Sequence, residues 1–275
     1  MIKSCVTLNG VTSLPEGPWI YRGTPEACLP RAAALGFDAV ELFTAGPDAA
    51  DAGALADLAK RHRLAIAAVG TGAGKVLHGL TLTHPDAAVR ARASDFVRGM
   101  IDFGARLAAP AIVGSMQGPG TEGTERERML DWLAEGLAAL GRHAADRGVP
   151  LILEPLNRYE TRVLNHLGDA AAFLDGRGLA NVVLLADLFH MNIEEASIPD
   201  ALRQAGRRVG HVHFADTNRR PVGLGHLDVP PIIDALRDIG YTGFVSAEAL
   251  PYPDPDAAAA QTMKAYKQYL SVLSG

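Results

Sequence analysis

The chain has 275 residues, 48% of them hydrophobic, and a formal net charge of −5 from 26 basic and 31 acidic side chains. With no lysine or arginine cluster beyond pairs such as Arg207-Arg208 and Arg219-Arg220, it matches no polyanion, and nucleic acid is excluded as an expected partner. Two cysteines, Cys5 and Cys28, make neither a disulfide framework nor a thiolate metal cluster, and the start has no long apolar core, so a cytoplasmic protein without a membrane partner is expected.

Strand one is expected over residues 2–8, followed by a polar loop rich in Gly and Pro through Gly23. Thr24 then caps a helix with Pro25 at its first position and Gly36 closing it. Pro30 inside that helix removes a hydrogen bond and predicts a kink or a late start. Strand two covers 38–43, a helix of about 48–62 buries Leu55 and Leu58, and strand three covers 64–69. The stretch Gly70-Thr71-Gly72-Ala73-Gly74-Lys75 fits neither Gly-rich phosphate fingerprint, and no Ser or Thr follows its lysine. It reads as a mobile loop over a barrel mouth.

Pro85 opens a long helix with Val89, Ala93, Phe96, Met100 and Phe103 at helical spacing, and strand four covers 111–115. Thr124 and Glu127 predict a capping box for the next helix, where Met129, Leu133, Leu137, Leu140 and Ala144 recur at spacings of three and four up to Gly148. After strand five come a short helix at 168–175, strand six, a helix beginning after Pro199, strand seven, and a helix after Pro230-Pro231 that ends at Gly240. Strand eight is followed by Asp254-Pro255, a cap and first turn, and a helix through Tyr269.

Eight strands in strict alternation with eight helical segments, in about 250 residues, predict a closed parallel (β/α)8 TIM barrel. It is expected to be a single domain over residues 1–275. A doubly wound open sheet would carry a Gly-rich nucleotide turn after strand one, and Asn9-Gly10-Val11-Thr12-Ser13 is not that turn.

The last four strands carry the chemistry. Residues 149–154, 182–187, 209–213 and 244–248 are short apolar runs of the kind buried on both faces of a parallel sheet, and they end on Glu154, Asp187, His213 and Glu248. A carboxylate or imidazole at the end of a buried strand is costly unless a cation or partner meets it. Side chains alternate along a strand, so Ile152, Leu185, His211 and Ser246 form the layer beneath these four. His211, one layer deeper, is expected to be a hydrogen-bonded core histidine.

Three carboxylates and one imidazole make a hard donor set, suited to one divalent ion, Mn²⁺, Mg²⁺ or Co²⁺, rather than a structural zinc. Six-coordination leaves room for two substrate oxygens, and a 2-hydroxy ketone chelates through both. Glu154 and Glu248, from strands flanking the arc, are placed to face the two sides of a planar enediolate held by the metal. Deprotonation on one side and reprotonation on the other is epimerisation. Glu160 lies six residues past Glu154 and His190 three past Asp187, Arg219 offers a forked donor, and Glu41 and Gln117 are the polar groups on the substrate side.

The segments Glu-Pro-Leu-Asn-Arg-Tyr-Glu at 154–160, Asp-Leu-Phe-His-Met-Asn-Ile-Glu-Glu at 187–195 and His-Val-His-Phe-Ala-Asp-Thr-Asn-Arg-Arg-Pro at 211–221 resemble the xylose-isomerase-like sugar isomerase and epimerase superfamily. Within it they are most similar to the ketose 3-epimerases typified by D-tagatose 3-epimerase. The resemblance implies Glu154, Asp187, His213 and Glu248 as ligands of a divalent metal, usually Mn²⁺, with Glu154 and Glu248 as the acid and base. It implies contacts from Glu160, His190 and Arg219 to oxygens of a small sugar. The alternative on the same site is a lyase acting on a keto-sugar or keto-cyclitol, similar to inosose dehydratase or to a keto-glycoside-cleaving enzyme. A hydrolase resembling apurinic endonucleases would need more metal ligands on strands two to four and a basic groove. The sugar, its phosphorylation and the order of any homo-oligomer, dimer or tetramer, are left open.

Overall fold

Short aliphatic runs become strands where both of their faces are buried, and the chain places them in one ring. The structure is a computed structural model that describes residues 1–14 and 16–270. Its ring strands are β1 (Lys3–Asn9), β2 (Ala39–Phe43), β3 (Ala65–Gly70), β4 (Ala111–Val113), β5 (Leu151–Leu153), β6 (Val182–Asp187), β7 (Val209–His213) and β8 (Phe244–Ala247). Each pairs in parallel with its chain neighbour. β8 returns to β1, with Lys3 opposite Phe244 and Val6 opposite Ala247, which closes the barrel. A two-residue strand, Tyr21–Arg22, pairs in parallel alongside the carboxyl end of β1.

The helices among the described residues are α1 (Pro25–Leu35), α2 (Ala52–Arg61), α3 (Ala73–His78), α4 (Ala87–Ala105), α5 (Arg126–Asp146), α6 (Leu167–Gly176), α7 (Leu188–Glu194), α8 (Ile198–Ala205), α9 (Val229–Asp238) and α10 (Pro255–Tyr269). Their apolar faces pack on the outside of the strands in one continuous core. Inside the barrel Ala68, Ile112, Ile152 and Leu185 form a separate layer, and Cys5, Ala39 and Ala67 another. Small side chains on β1, β2 and β3 leave room for bulkier ones from β4, β5 and β6. This closed single barrel is the predicted fold; residues 271–275 of the expected domain lie outside the described ones. No helix of the described residues is long and apolar enough to cross a membrane.

Several local expectations are corrected. α1 runs unbroken through Pro30 and does not start late. The carbonyl that Pro30 leaves without a partner belongs to Glu26 in the first turn, an exposed residue beside solvent, and water satisfies such a group. α2 starts four residues later than expected because Asp51, whose carboxylate accepts from the Ala54 N–H at 2.8 Å, is its cap. The Thr124 capping box does not form: α5 starts after Glu125, with no side-chain cap. Residues 73–78 of the Gly-rich stretch form a helix, α3, closed by Gly79 at φ 65°. Gly79 adopts the left-handed conformation that favours glycine, which gives the turn its stop.

Candidate active site

The period-two rule places one donor at the carboxyl end of each of the last four strands. Asp187 and His213 are the final residues of β6 and β7, and Glu154 and Glu248 follow β5 and β8 directly. Each of the four offers a donor atom within 4.8 Å of the others. His213 Nδ1 stands at the centre, 3.1 Å from Asp187 Oδ2, 3.5 Å from Glu154 Oε1 and 3.5 Å from Glu248 Oε2. Metal bonds of about 2.0–2.2 Å put neighbouring donors roughly 3–4 Å apart, so this spacing fits one cation.

Asp187 divides its two oxygens between structure and site. Oδ1 caps α7, accepting from the N–H groups of Phe189 at 2.8 Å and His190 at 3.2 Å, while Oδ2 faces the cluster. The helix cap, the ordinary use of such an aspartate, therefore fixes the rotamer that presents the second oxygen.

His213 is held from behind. Its Nε2 lies 3.1 Å from Glu41 Oε1, and His211 Nε2 lies 2.7 Å from Glu41 Oε2. An ionised carboxylate only accepts, so both Nε2 atoms carry the proton and His213 presents Nδ1 to the cluster. Burial acts to raise the Glu41 carboxyl, but the His213 and His211 imidazoles outweigh it and hold it well below the usual carboxylate range. Glu41, His211 and His213 also lie close enough for a cation of their own, but these two hydrogen bonds already satisfy them. His211 is thus the hydrogen-bonded core histidine expected. Glu41 lines the cavity, but both of its oxygens are taken up by the histidines and so withdrawn from substrate. Gln117 is fully buried and donates through Nε2 to the Glu154 carbonyl at 2.8 Å, so it too is withdrawn from the substrate side.

The substrate-side residues converge on the same point. His190 Nδ1 accepts from the Asn157 backbone N–H at 3.3 Å, with the Asn157 amide nitrogen 2.7 Å away. That leaves the proton on Nε2, which faces Arg219 Nη1 at 3.4 Å and Asp187 Oδ2 at 3.7 Å. Arg219 contacts Glu248, lies 3.5 Å from Asp187 and stacks over the Phe189 ring at 4.7 Å. Its backbone φ is 57°, a left-handed conformation that costs an arginine about 1–2 kcal/mol and is held by the turn between Asp216 and Arg220. Glu160 is more exposed, with Oε1 3.4 Å from the Asn157 amide nitrogen. Asn157 is the orienting residue that sequence reasoning missed; it lay inside the quoted motif, but nothing in the spacing tied it to His190.

Burial acts to lower the His213 imidazole, but Glu41, Glu248, Asp187 and Glu154 raise it well above its ordinary value. Glu248 is pushed up to about 7: burial raises it, His213 and Arg219 pull it down, and Glu154 and Asp187 raise it again. For Asp187, burial is outweighed by His190, Arg219 and His213, and its carboxyl is held well below the usual range.

These groups open into a cavity of about 360 Å³ whose far wall comes from the first half of the barrel, including Thr7, Trp19, Phe43, Lys75 and Ser115. The Trp19 and Phe43 rings pack with centroids 4.9 Å apart. None of these wall residues was singled out from the sequence for a substrate role.

A closed parallel barrel whose last four strands bring three carboxylates and an imidazole to one point defines a barrel enzyme with a donor set fit for a hard cation. The chain belongs to the xylose isomerase-like TIM barrel family, whose model matches residues 29–269. It is 35% identical over 226 residues to a D-psicose 3-epimerase of Agrobacterium fabrum, covering 80% of this chain and 77% of that one. It is 32% identical over 232 residues to an L-ribulose 3-epimerase of Mesorhizobium japonicum, covering 82% and 75%. A D-psicose 3-epimerase crystallised in the presence of D-fructose superimposes with a TM-score of 0.82 at 26% identity, over 98% of this chain and 99% of that one.

Proposed function

We propose that the protein is a divalent-metal-dependent ketose 3-epimerase. The observation that carries the reading is the placement of two glutamates, Glu154 and Glu248, on opposite flanks of one donor set that also holds Asp187 and His213. Relatives named as ketose 3-epimerases support an epimerase over a lyase on the same site.

Glu154, Asp187, His213 and Glu248 would hold the cation, Mn²⁺ before Mg²⁺ or Co²⁺, which when bound polarises the sugar carbonyl and acidifies the neighbouring carbon. One glutamate removes the proton from that carbon and the other returns a proton from the opposite face, with the roles exchanged for the reverse direction. Proton transfer by a positioned carboxyl contributes about 10²–10⁴ in rate. His190 donates from Nε2 to an oxygen of the sugar, its tautomer fixed by Asn157. Arg219 presents its guanidinium beside Glu248 and lines the cavity, where it meets the negative charge that passes from the carboxylate to the sugar oxygens as the proton is removed. Glu160, at the mouth, accepts from a sugar hydroxyl. Trp19 and Phe43 wall off the far side of the cavity and keep water from the reacting carbon.

The test is incubation with D-psicose and L-ribulose in D₂O with Mn²⁺. Uptake of one deuterium at C3 together with the C3 epimer is the expected result. A product lacking water identifies a lyase instead, and no uptake from any ketose sinks the proposal.

A further inference from the structure

We propose that Gly114, directly after β4, is a positioning residue that keeps open the space in which the second oxygen of Glu154 works. This rests on the epimerase reading above. The two oxygens of Glu154 face different ways. Oε1 points into the donor cluster, 3.5 Å from His213 Nδ1 and 3.9 Å from His190 Nε2. Oε2 lies over Gly114: a Cβ on that residue would stand 2.2 Å from Oε2, and the three heavy atoms nearest to it all belong to Glu154. Both Gly114 and Glu154 line the cavity. Oε1 is therefore the oxygen suited to a cation, and Oε2 the one turned toward substrate through a gap that a missing side chain provides.

The backbone at Glu154 cannot retreat. Its N–H donates to the Val113 carbonyl at 3.0 Å, and its carbonyl accepts from Gln117 Nε2 at 2.8 Å. A methyl group at 114 would thus be relieved by swinging the carboxylate, the far end of a flexible side chain, rather than by moving a strand. Ordinary contact begins at 3.4 Å against the 2.2 Å available, so Oε2 shifts by at least about 1.2 Å. Misplacement of a reacting group by about 1 Å costs on the order of 100-fold in rate. Gly114 thus makes its demand on the reacting carboxylate and little on the fold.

The experiment is Gly114→Ala, with Glu154→Asp made in both backgrounds. Mn²⁺ titration and thermal denaturation of Gly114→Ala are expected to stay close to the parent, because Oε1 and the barrel keep their partners, while kcat on the ketose falls about 100-fold. Asp is one methylene shorter and withdraws from the added methyl. The cost of Glu154→Asp is therefore expected to be at least about tenfold smaller in the Gly114→Ala background, the non-additivity of groups in direct contact. A kcat within about threefold of the parent, an additive cost, or loss of Mn²⁺ binding in parallel with kcat would overturn the proposal. If the parent turns over no ketose, the epimerase reading fails and the crystal structure of Gly114→Ala decides this one. Oε2 moved by more than about 1 Å over an unmoved β5 upholds it, and β4 displaced with Oε2 in place refutes it.

Discussion

Replacing Glu41 by Gln isolates what lies behind the donor set. The parent carboxylate accepts two hydrogen bonds, 3.1 Å from His213 and 2.7 Å from His211, inside a fully buried site. An amide of the same shape has one accepting oxygen and one donating nitrogen, so it serves one imidazole and meets the other donor to donor. The histidine left facing the NH₂ group must move its proton from Nε2 to Nδ1. For His213 that puts the proton on the atom turned toward Asp187, Glu154 and Glu248, where the cation needs a lone pair. Leaving a buried donor unsatisfied costs about 1–3 kcal/mol, and loss of a partner orienting a ligand histidine costs about 10–100-fold in metal affinity; at about 1.4 kcal/mol per tenfold the two ranges agree. Titrating Mn²⁺ into chelator-stripped Glu41→Gln by calorimetry should give a Kd weaker by that factor. NMR of the ring nitrogens reports the tautomer directly. A Kd within about twofold of the parent, with Nε2 of His213 still protonated, would refute the reasoning.

Glu248→Gln should lower kcat by about 10²–10⁴ at saturating Mn²⁺, with an unchanged circular dichroism spectrum. Arg219→Lys keeps the charge but loses the planar guanidinium that reaches Glu248 and Asp187 and the stack on Phe189; kcat/KM should fall at least about tenfold in steady-state assays. Because Glu248 is pushed up to about 7 and His213 is raised well above its ordinary value, protons compete with the cation. As pH rises these groups release their protons, so Mn²⁺ affinity should increase between about pH 6 and 8, with proton release measurable by calorimetry in two buffers. Mn²⁺ at about 100 times its Kd should add about 2.7 kcal/mol of stability, a Tm rise of roughly 5–10 °C that a chelator reverses.

The second half of the barrel was legible because its strands are buried on both faces. The apolar runs of β5 to β8 stand out from the surrounding sequence, and alternation then points the terminal Glu154, Asp187, His213 and Glu248 the same way. What the pattern could not carry is contact across the barrel. Glu41 and His211 are 170 residues apart, and their meeting depends on strand tilt and closure rather than on local spacing. Asn157 and His190 follow neighbouring strands, but no local spacing ties one to the other, and Gly114 matters through the absence of a side chain. Thr124 failed for the opposite reason, since a capping signature is a local preference of about 0.5–2 kcal/mol that burial of the long apolar face of α5 overrides.

The charge arrangement makes the donor set fit for a cation and sets one glutamate apart from the other three groups. Glu154, Asp187 and Glu248 would bring three negative charges to within 4.8 Å of one another in a largely buried setting, where like charges interact far more strongly than in water. The protein's own answer is incomplete. Arg219 is committed to Glu248 and Asp187, and His213 shares its charge with Glu41 behind the site. The shortfall falls on Glu248, which is pushed up to about 7, whereas Asp187 is held well below the usual carboxylate range. On the proposed reading, a divalent ion at the same point would replace the proton of Glu248 and leave that carboxylate ionised. Under that reading the ligand that gives up a proton for the cation would also be one of the two that exchange protons with substrate, which would tie metal occupancy to the protonation step of epimerisation.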